Sequence, residues 1–326
     1  MRAITFDEFG GPDVLRISEV ADPVIRPADL LVRVRAAGVN RADLNQRRGA
    51  YGREYFGDSG IMGLEVAGEV IALGTQVTGF SIGDRVMGIV GGGGYAEIAR
   101  IPAAMAVRIP SQLDFAQAAA IPEAFITMDE ALVHLGRLRA GETVLIHGAA
   151  GGVGLAGVRI TKSLGGRVLF TARDCTIPRV VELGGDVGFD YRDDFLPSVI
   201  EATDGEGVDL IVDTQGHPNF ERNVMALREG GRLIQLGLMG GRGKAPLFLD
   251  RLLFRRLSII GSVMKSRSAE EKAMMTRRFA DRWLGDFAAG AILPIVAEIF
   301  ALDAAAVAHA RMEAGGHVGK LVLIPQ

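Results

Sequence analysis

One stretch of this chain gathers residues suited to holding a phosphate: His147-Gly148-Ala149-Ala150-Gly151-Gly152-Val153-Gly154, entered from Glu142-Thr143-Val144-Leu145-Ile146. A short apolar, β-branched run reads as a buried parallel strand, and the glycines after it force a tight turn. Leu155 to Leu164 then place apolar side chains at roughly helical spacing. Strand, glycine turn and helix form the first half of a dinucleotide-binding unit. In such a unit Gly151 lets the backbone approach a pyrophosphate, and Gly154 lets the helix pack close to the strand. The free N–H groups and positive dipole end of the helix face the phosphates, beside Ala150, Gly151, Gly152 and Val153. Sterics alone can also produce such a turn, so the residues around it must decide the reading.

The next strand, Arg167-Val168-Leu169-Phe170-Thr171, ends at Ala172-Arg173. An NAD-binding unit places an acid near this point, about twenty residues past the glycines, to bind the ribose 2′-OH. Here Ala172 removes that carboxylate and Arg173 supplies a cation, as a 2′-phosphate requires. This favours NADP over NAD, with Asp174 as an alternative surface partner for Arg173. Tyr191 follows the expected third strand, where its hydroxyl could bond the 2′-phosphate or simply face solvent. Val208 to Asp213, then Thr214-Gln215-Gly216, reads as a fourth strand and its loop. Gly237-Leu238-Met239 follows the fifth strand, and Ser262-Val263-Met264 the sixth. Carboxyl ends of parallel strands converge on the ligand crevice of an open sheet.

The elements that must position these residues fall into two textures. Residues 1 to about 120 hold several short strands punctuated by turns, which favours a compact, barrel-like β domain. From about 121, strand-like runs at 143–147, 167–171, 208–213, 232–236 and 257–261 alternate with helical ones. That alternation predicts a parallel sheet covered by helices on both faces. A charged helical stretch, Ala269 to Trp283, and a final strand near Gly319–Pro325 complete the chain. At 326 residues, two domains fit the length. A hydrophobic content of 48% against 23% charged residues suits a globular core with a solvated surface. The formal net charge of −3 offers no basic field for nucleic acid or anionic lipid. No apolar run reaches the roughly 18 residues of a membrane span, and the first residues carry acids too early for a secretory signal. The single cysteine, Cys175, excludes an intrachain disulfide and a cysteine-rich zinc lobe. The simplest expectation is a cytoplasmic protein.

Taken in order, Gly38-Val39-Asn40-Arg41-Ala42-Asp43, Gly63-Leu64-Glu65-Val66-Ala67-Gly68, Gly83-Asp84-Arg85-Val86, Ala149 to Gly154 and Gly237-Leu238-Met239-Gly240-Gly241 form a pattern. The pattern resembles the zinc-independent NADPH:quinone oxidoreductase branch of the medium-chain dehydrogenase/reductases from end to end. The resemblance implies an α/β chain: a Rossmann doubly wound parallel sheet at 122–264 and a GroES-like β-rich catalytic domain at 1–121. It implies that 265–326 completes the latter, with a substrate cleft between the two and a homodimer formed through sheet edges around 257–264.

Zinc-dependent relatives place a cysteine near Asn40 and a histidine where Leu64 stands, so two metal ligands are missing. The histidines His134, His147, His217, His309 and His317 are scattered without ligand spacing. A metal-free site is therefore expected, with hydride chemistry resting on NADPH and on positioning. The acceptor would be a quinone or an α,β-unsaturated carbonyl compound. The family pattern places Asn40 and Tyr51 at the cleft as hydrogen-bond donors to the carbonyl oxygen. It also places Thr127 beside the nicotinamide and Lys320 near the cofactor. Some relatives carry a second tyrosine where Asn45 stands. An enoyl-thioester reductase is the alternative, with Arg41, Arg47, Arg48 and Arg53 as a basic rim. A non-catalytic crystallin-like NADPH- or RNA-binding protein is a further one, which the acidic balance disfavours.

Overall fold

The computed structural model describes residues 1–50 and 59–325. It divides into two compact units, Met1–Glu123 with Ala269–Gln326, and Ala124–Ser268. The first unit opens with β1 (Arg2–Thr5) paired to β2 (Arg16–Glu19), followed by β3 (Asp29–Val39) and α1 (Arg41–Arg47). Along β3, Val32, Val34 and Ala36 face the core while Arg33 and Arg35 face solvent, the alternation of a half-buried strand. Next come β4 (Glu65–Leu73), β5 (Arg85–Ile89), β6 (Ile98–Pro102), β7 (Ala106–Arg108) and the short α2 (Phe115–Ala119). An antiparallel ladder joins β3 to β4, and β6 pairs with the first half of β3.

Helix α3 (Pro122–Met128) leaves this unit and runs into a π-wound segment, Asp129–Leu135, where Gly136 N–H reaches Ala131 O five residues back. A wider turn of this kind commonly marks a functional segment. The second unit then alternates β8 (Thr143–His147), α4 (Gly152–Ser163), β9 (Arg167–Ala172), α5 (Ile177–Glu182), β10 (Val187–Asp190) and α6 (Phe195–Ala202). It continues with β11 (Val208–Asp213), α7 (Phe220–Ala226), β12 (Leu227–Gln235), α8 (Leu249–Phe254) and β13 (Ser258–Gly261). All pairs are parallel, in the order β10-β9-β8-β11-β12-β13. This is the 3-2-1-4-5-6 order of a Rossmann sheet, and the direction of winding reverses between β8 and β11. Strand β11 is buried along its whole length, as expected of a central parallel strand with helices on both faces. Leu145, Leu169, Val199, Ile211, Val224 and Leu233 fill the core on one side of the sheet.

The chain then returns to the first unit through α9 (Ala269–Ala288), β14 (Val296–Ala301), α10 (Ala305–Ala314) and β15 (Lys320–Ile324). Strand β15 lies antiparallel to the end of β3, with Leu321 opposite Val39 and Leu323 opposite Ala37, and carries β14 parallel on its other side. This mainly antiparallel sheet is therefore closed on one flank by the C-terminal segment. Lys320, the first residue of β15, is thereby brought beside Asn40, the residue that follows β3.

Candidate active site

The reversal point of the parallel sheet brings two loops together at the carboxyl ends of β8 and β11. Gly148 has a φ of +71°, a conformation that needs glycine, and a side chain there would meet Thr214 Oγ1 and Gln215 Nε2 at 3.6 and 3.7 Å. Gly151 caps α4, and a Cβ on it would meet only Gly148 O, at 3.7 Å, leaving open space above the turn. At Gly154 the opposite holds: a Cβ would lie 2.5 Å from Ala149 Cα and Gly148 O, so only glycine lets the helix start this close to the turn. Leu155 N–H makes the first bond of the helix, to Gly151 O. The preceding N–H groups of Gly152, Val153 and Gly154 are thus free of the helix and available to an anion.

Further strand ends join this group. Met239 N–H bonds Thr214 O and Gly240 N–H bonds Gln215 O, at 3.0 and 2.9 Å, and Gly237 packs on Thr214. Leu238 and Met239 are left about half exposed beside them. Ser262 N–H extends the sheet by bonding Gln235 O, and its hydroxyl accepts from Arg267; Met264 lies two residues on, half-buried. At the far end of the sheet, Tyr191 N–H bonds Ala172 O, which puts Tyr191 directly beside Arg173. Both are exposed, and Arg173 pairs with no carboxylate among the described residues, Asp174 included. Arg192, the next cation along, is instead held by both oxygens of Asp190.

Beneath the loops runs a buried network that sequence reasoning left out, apart from giving His147 a structural place. His147 Nε2–H donates to Asn223 Oδ1 at 2.7 Å, and Thr171 Oγ1–H donates to His147 Nδ1 at 3.0 Å. Asn223 Nδ2 donates to Asp213 Oδ2, whose two oxygens also accept from the N–H groups of Gln215 and Gly216. Burial keeps the His147 imidazole below its usual range despite the nearby Asp213 charge, so it is neutral and its hydrogen-bond direction is fixed. Asp213 in turn shapes the loop that presents Gln215.

In the other unit a second buried group forms around Asn40. Lys320 Nζ donates to Asn40 Oδ1 at 2.7 Å and is ion-paired with Glu65 Oε1. Asn40 Nδ2 donates to the same Glu65 oxygen at 2.8 Å and reaches Gly38 O at 3.4 Å, while Asn40 N–H donates to Asp43 Oδ2 at 2.7 Å. Glu65 Oε2 accepts the backbone N–H of Glu123, in the first turn of α3, at 2.8 Å. Gly38 is required here because a Cβ would strike the Glu65 carboxylate. Asp43 Oδ2 also accepts from Tyr95 O–H at 2.9 Å, Tyr95 meets His309 Nε2 at 3.2 Å, and Arg47 donates to His309 Nδ1 at 3.2 Å. Because Arg47 can only donate, His309 carries its proton on Nε2 and donates it to the tyrosine oxygen.

Burial, opposed only in part by bonds from Asn40 and Tyr95, raises the Asp43 carboxyl to about 7. Burial, reinforced by the Glu65 carboxylate, raises Glu123 likewise to about 7. Burial and the Arg47 charge push His309 down to about 3, and burial and Asp43 push Tyr95 well up.

These positions revise one expectation, that for Arg47. Lys320, which the resemblance places near the cofactor, has its ammonium buried and engaged by Asn40 and Glu65, because an unpaired Glu65 inside the unit would be costly. Arg47 is no rim cation: it is fully buried, held by Gly10 O, His309 and Glu313. Arg41 and Arg48 remain exposed. Tyr51 and Arg53 lie outside the described residues. Thr127 sits half-buried in the last turn of α3, and its hydroxyl makes no bond back to its own helix, unlike those of Thr203 and Thr276. Sequence reasoning passed over Glu65, Asp43, Tyr95, His309 and Glu123. A signal existed for the last: Glu123 is the one charge in the run Ala116 to Met128, apart from which only Gln117 and Thr127 are polar.

The family model of an alcohol dehydrogenase GroES-like domain matches residues 26–111, and that of a zinc-binding dehydrogenase matches residues 152–280. A quinone oxidoreductase of Lama guanicoe is 35% identical, covering 99% of this chain and 97% of its own. The chain belongs to the quinone oxidoreductase family. That family falls within the medium-chain dehydrogenase/reductases, consistent with the Rossmann sheet beside a separate, mainly antiparallel one. The quinone oxidoreductase of Escherichia coli, solved with NADPH, superimposes with a TM-score of 0.89 over 100% of both chains at 26% identity. A mycobacterial relative, also solved with NADPH, gives 0.88 over 100% of both chains at 30% identity. One model's description names zinc; among the described residues no group of three histidine, cysteine or acidic side chains could hold a metal ion. Beside Asn40 stands the positive charge of Lys320.

Proposed function

We propose that this chain is an NADPH-dependent oxidoreductase that transfers a hydride to quinones or α,β-unsaturated carbonyl compounds without a metal ion. The observation that carries the reading is the open, donor-lined turn at Gly148–Val153 together with the unpaired Arg173 beside Tyr191. The turn suits a pyrophosphate, and the cation stands where a ribose-binding acid would exclude a 2′-phosphate. Bound there, NADPH supplies the hydride. Gln215, Gly237, Leu238 and Met239 would wall the cofactor, with Ser262 and Met264 at the next strand end and Thr127 beside the nicotinamide.

Asn40, with Tyr51, is the residue of the other unit assigned to the acceptor. Its amide is largely spent on Glu65 and Gly38, so its contribution is partly indirect: it holds Lys320 in place. An ammonium has three donors, and Asn40 and Glu65 take two of them. The positive charge favours the negative charge that develops on an acceptor oxygen. Turnover that required stoichiometric zinc would contradict the metal-free part of this reading.

The cofactor assignment is tested by Arg173→Ala. Losing one charge-assisted bond to the 2′-phosphate should raise KM for NADPH by about 10- to 100-fold and leave that for NADH unchanged. An unchanged KM for NADPH would remove the assignment.

A homodimer in the cytoplasm completes the proposal. β13 is the edge of the parallel sheet, and Leu249, Leu253, Phe254 and Val263 are exposed around it. An unpaired edge flanked by apolar side chains favours pairing with a second copy. Light scattering that returned only monomer would refute it. Among the described residues no helix is long and apolar enough to cross a membrane.

A further inference from the structure

We infer that Asp213 is the positioning residue for the nicotinamide half of the cofactor, holding the Thr214–Gly216 loop over Gly148 through Asn223 and His147; this rests on the function proposed above. Asp213 is the last residue of β11, a central strand of the sheet, and it is fully buried. A carboxylate is costly to bury unless donors surround it. Here Oδ1 accepts the Gln215 N–H at 2.6 Å, and Oδ2 accepts the Gly216 N–H at 3.1 Å and Asn223 Nδ2 at 3.0 Å. The side chain therefore draws its own loop back over the strand end. Gly216 turns there at a φ of +83°, and its carbonyl accepts the Asn219 N–H that leads into α7.

The backbone of Asp213 carries the hold to the next strand end. Its carbonyl accepts the Leu236 N–H at 2.7 Å and Gln235 Nε2 at 3.1 Å, and the same Gln235 amide donates to Gly237 O at 2.7 Å. Thr214 O and Gln215 O then receive the N–H groups of Met239 and Gly240. The loops after β11 and β12 are thus locked to each other, with Asp213 at the junction.

On the other side, the chain of bonds reaches the phosphate turn. Asn223 Oδ1 accepts from His147, the residue before Gly148, and His147 Nδ1 accepts from Thr171. Thr171 O accepts the N–H groups of Gly148 and Ala149, both at 3.0 Å. Four buried side chains, from β8, β9, β11 and α7, thereby fix how far the Gln215 loop stands from the glycine turn. The polar ends that face the turn are Thr214 Oγ1 and Gln215 Nε2, which are bonded to each other at 3.2 Å.

Sheet order says which part of the cofactor this serves. A dinucleotide lies across the reversal point, with one half on each side. Arg173 and Tyr191, at the ends of β9 and β10, suit the adenosine half with its 2′-phosphate, and they are joined through Ala172 O. The loops held by Asp213 follow β11 and β12, on the opposite side, and are left with the nicotinamide half.

The test compares binding of NADPH with binding of adenosine 2′,5′-bisphosphate, which carries the adenosine half alone, by calorimetry on the wild-type protein and Asp213→Asn. The substitution keeps the volume but turns one acceptor oxygen into an amide donor that faces N–H groups. It should weaken NADPH by about 10- to 100-fold and leave the bisphosphate within about twofold. His147→Leu, which breaks the relay two bonds further back, should show the same split at about 3- to 10-fold. His147→Gln, which can still accept and donate, should restore most of that loss. Should Asp213→Asn fail to fold, the two His147 variants decide. Equal loss of both ligands would make the network a support of the fold alone and overturn the inference, as would unchanged NADPH binding. A wild-type protein that binds neither ligand would overturn the functional reading and this inference with it.

Discussion

His147 and Asn40 each stand at the end of a strand and each anchor a buried polar network, but the two networks carry charge differently. Around His147 every side chain has found its complement: Thr171 gives to the imidazole, the imidazole gives to Asn223, and Asn223 gives to Asp213. The one carboxylate present is covered by two backbone N–H groups as well. Around Asn40 two buried carboxyls, Asp43 and Glu65, are tied through the asparagine, only Glu65 pairs with the Lys320 ammonium, and Asp43 Oδ1 is left bare. A saturated network fixes the shape of loops. An unsaturated one favours the protonated form of the acid left bare, here Asp43.

Breaking each network should expose the difference. The largest effect is expected from Lys320→Met, which strips the counter-charge from the fully buried Glu65. It should cost about 3–5 kcal/mol in urea unfolding, and a second change, Glu65→Leu, should recover much of the loss. A loss below about 1 kcal/mol would mean that Lys320 is not the essential partner. His147→Leu should cost less, about 1–3 kcal/mol, because it leaves Asn223 Oδ1 without a donor and the Thr171 hydroxyl proton without its acceptor, and both are neutral groups. If it were as costly as Lys320→Met, the contrast between a charged and a neutral network would fail.

The smallest effect sharpens the comparison through pH. Glu123 is raised from 4.5 to about 7 in the folded chain, so its contribution to stability is present below about pH 4.5 and is lost as pH rises toward 7. Glu123→Gln removes that loss. Its stability relative to wild type should therefore climb over this window, by on the order of 1–2 kcal/mol given the partial exposure of the carboxyl. A difference independent of pH would show that Glu123 does not retain its proton on folding.

Much of the second unit is legible in the sequence because its signals are local. The alternation of apolar runs with helical spacing, the turn at Gly148–Gly154 and the strand ends at Gln215 and Gly237 all lie within short windows, and five of the six parallel strands fall on or near the expected runs, the sixth, β10, ending just before Tyr191. The Asn40 network is a different matter. Its members come from β3, α1, β4, α3, α10 and β15, and Lys320 lies 280 residues from Asn40. No periodicity reports that β15 pairs with β3, since Leu321-Val322-Leu323 would suit any buried strand. Long-range packing likewise explains why Arg47 reads as a rim cation in sequence and is a buried ion pair with Glu313 of α10 in the fold. Asp43 and Glu65 stood inside quoted motifs, yet their chemistry depends on what the rest of the chain brings to them.

The most direct test of the account follows the absorbance of reduced nicotinamide for NADPH and NADH, with 1,4-benzoquinone, 9,10-phenanthrenequinone and a simple enone as acceptors. Acceptor-dependent oxidation of NADPH, much faster than that of NADH, is the predicted result. Equal use of the two cofactors would contradict the role of Arg173, and tight NADPH binding without turnover on any acceptor would contradict the proposed reaction.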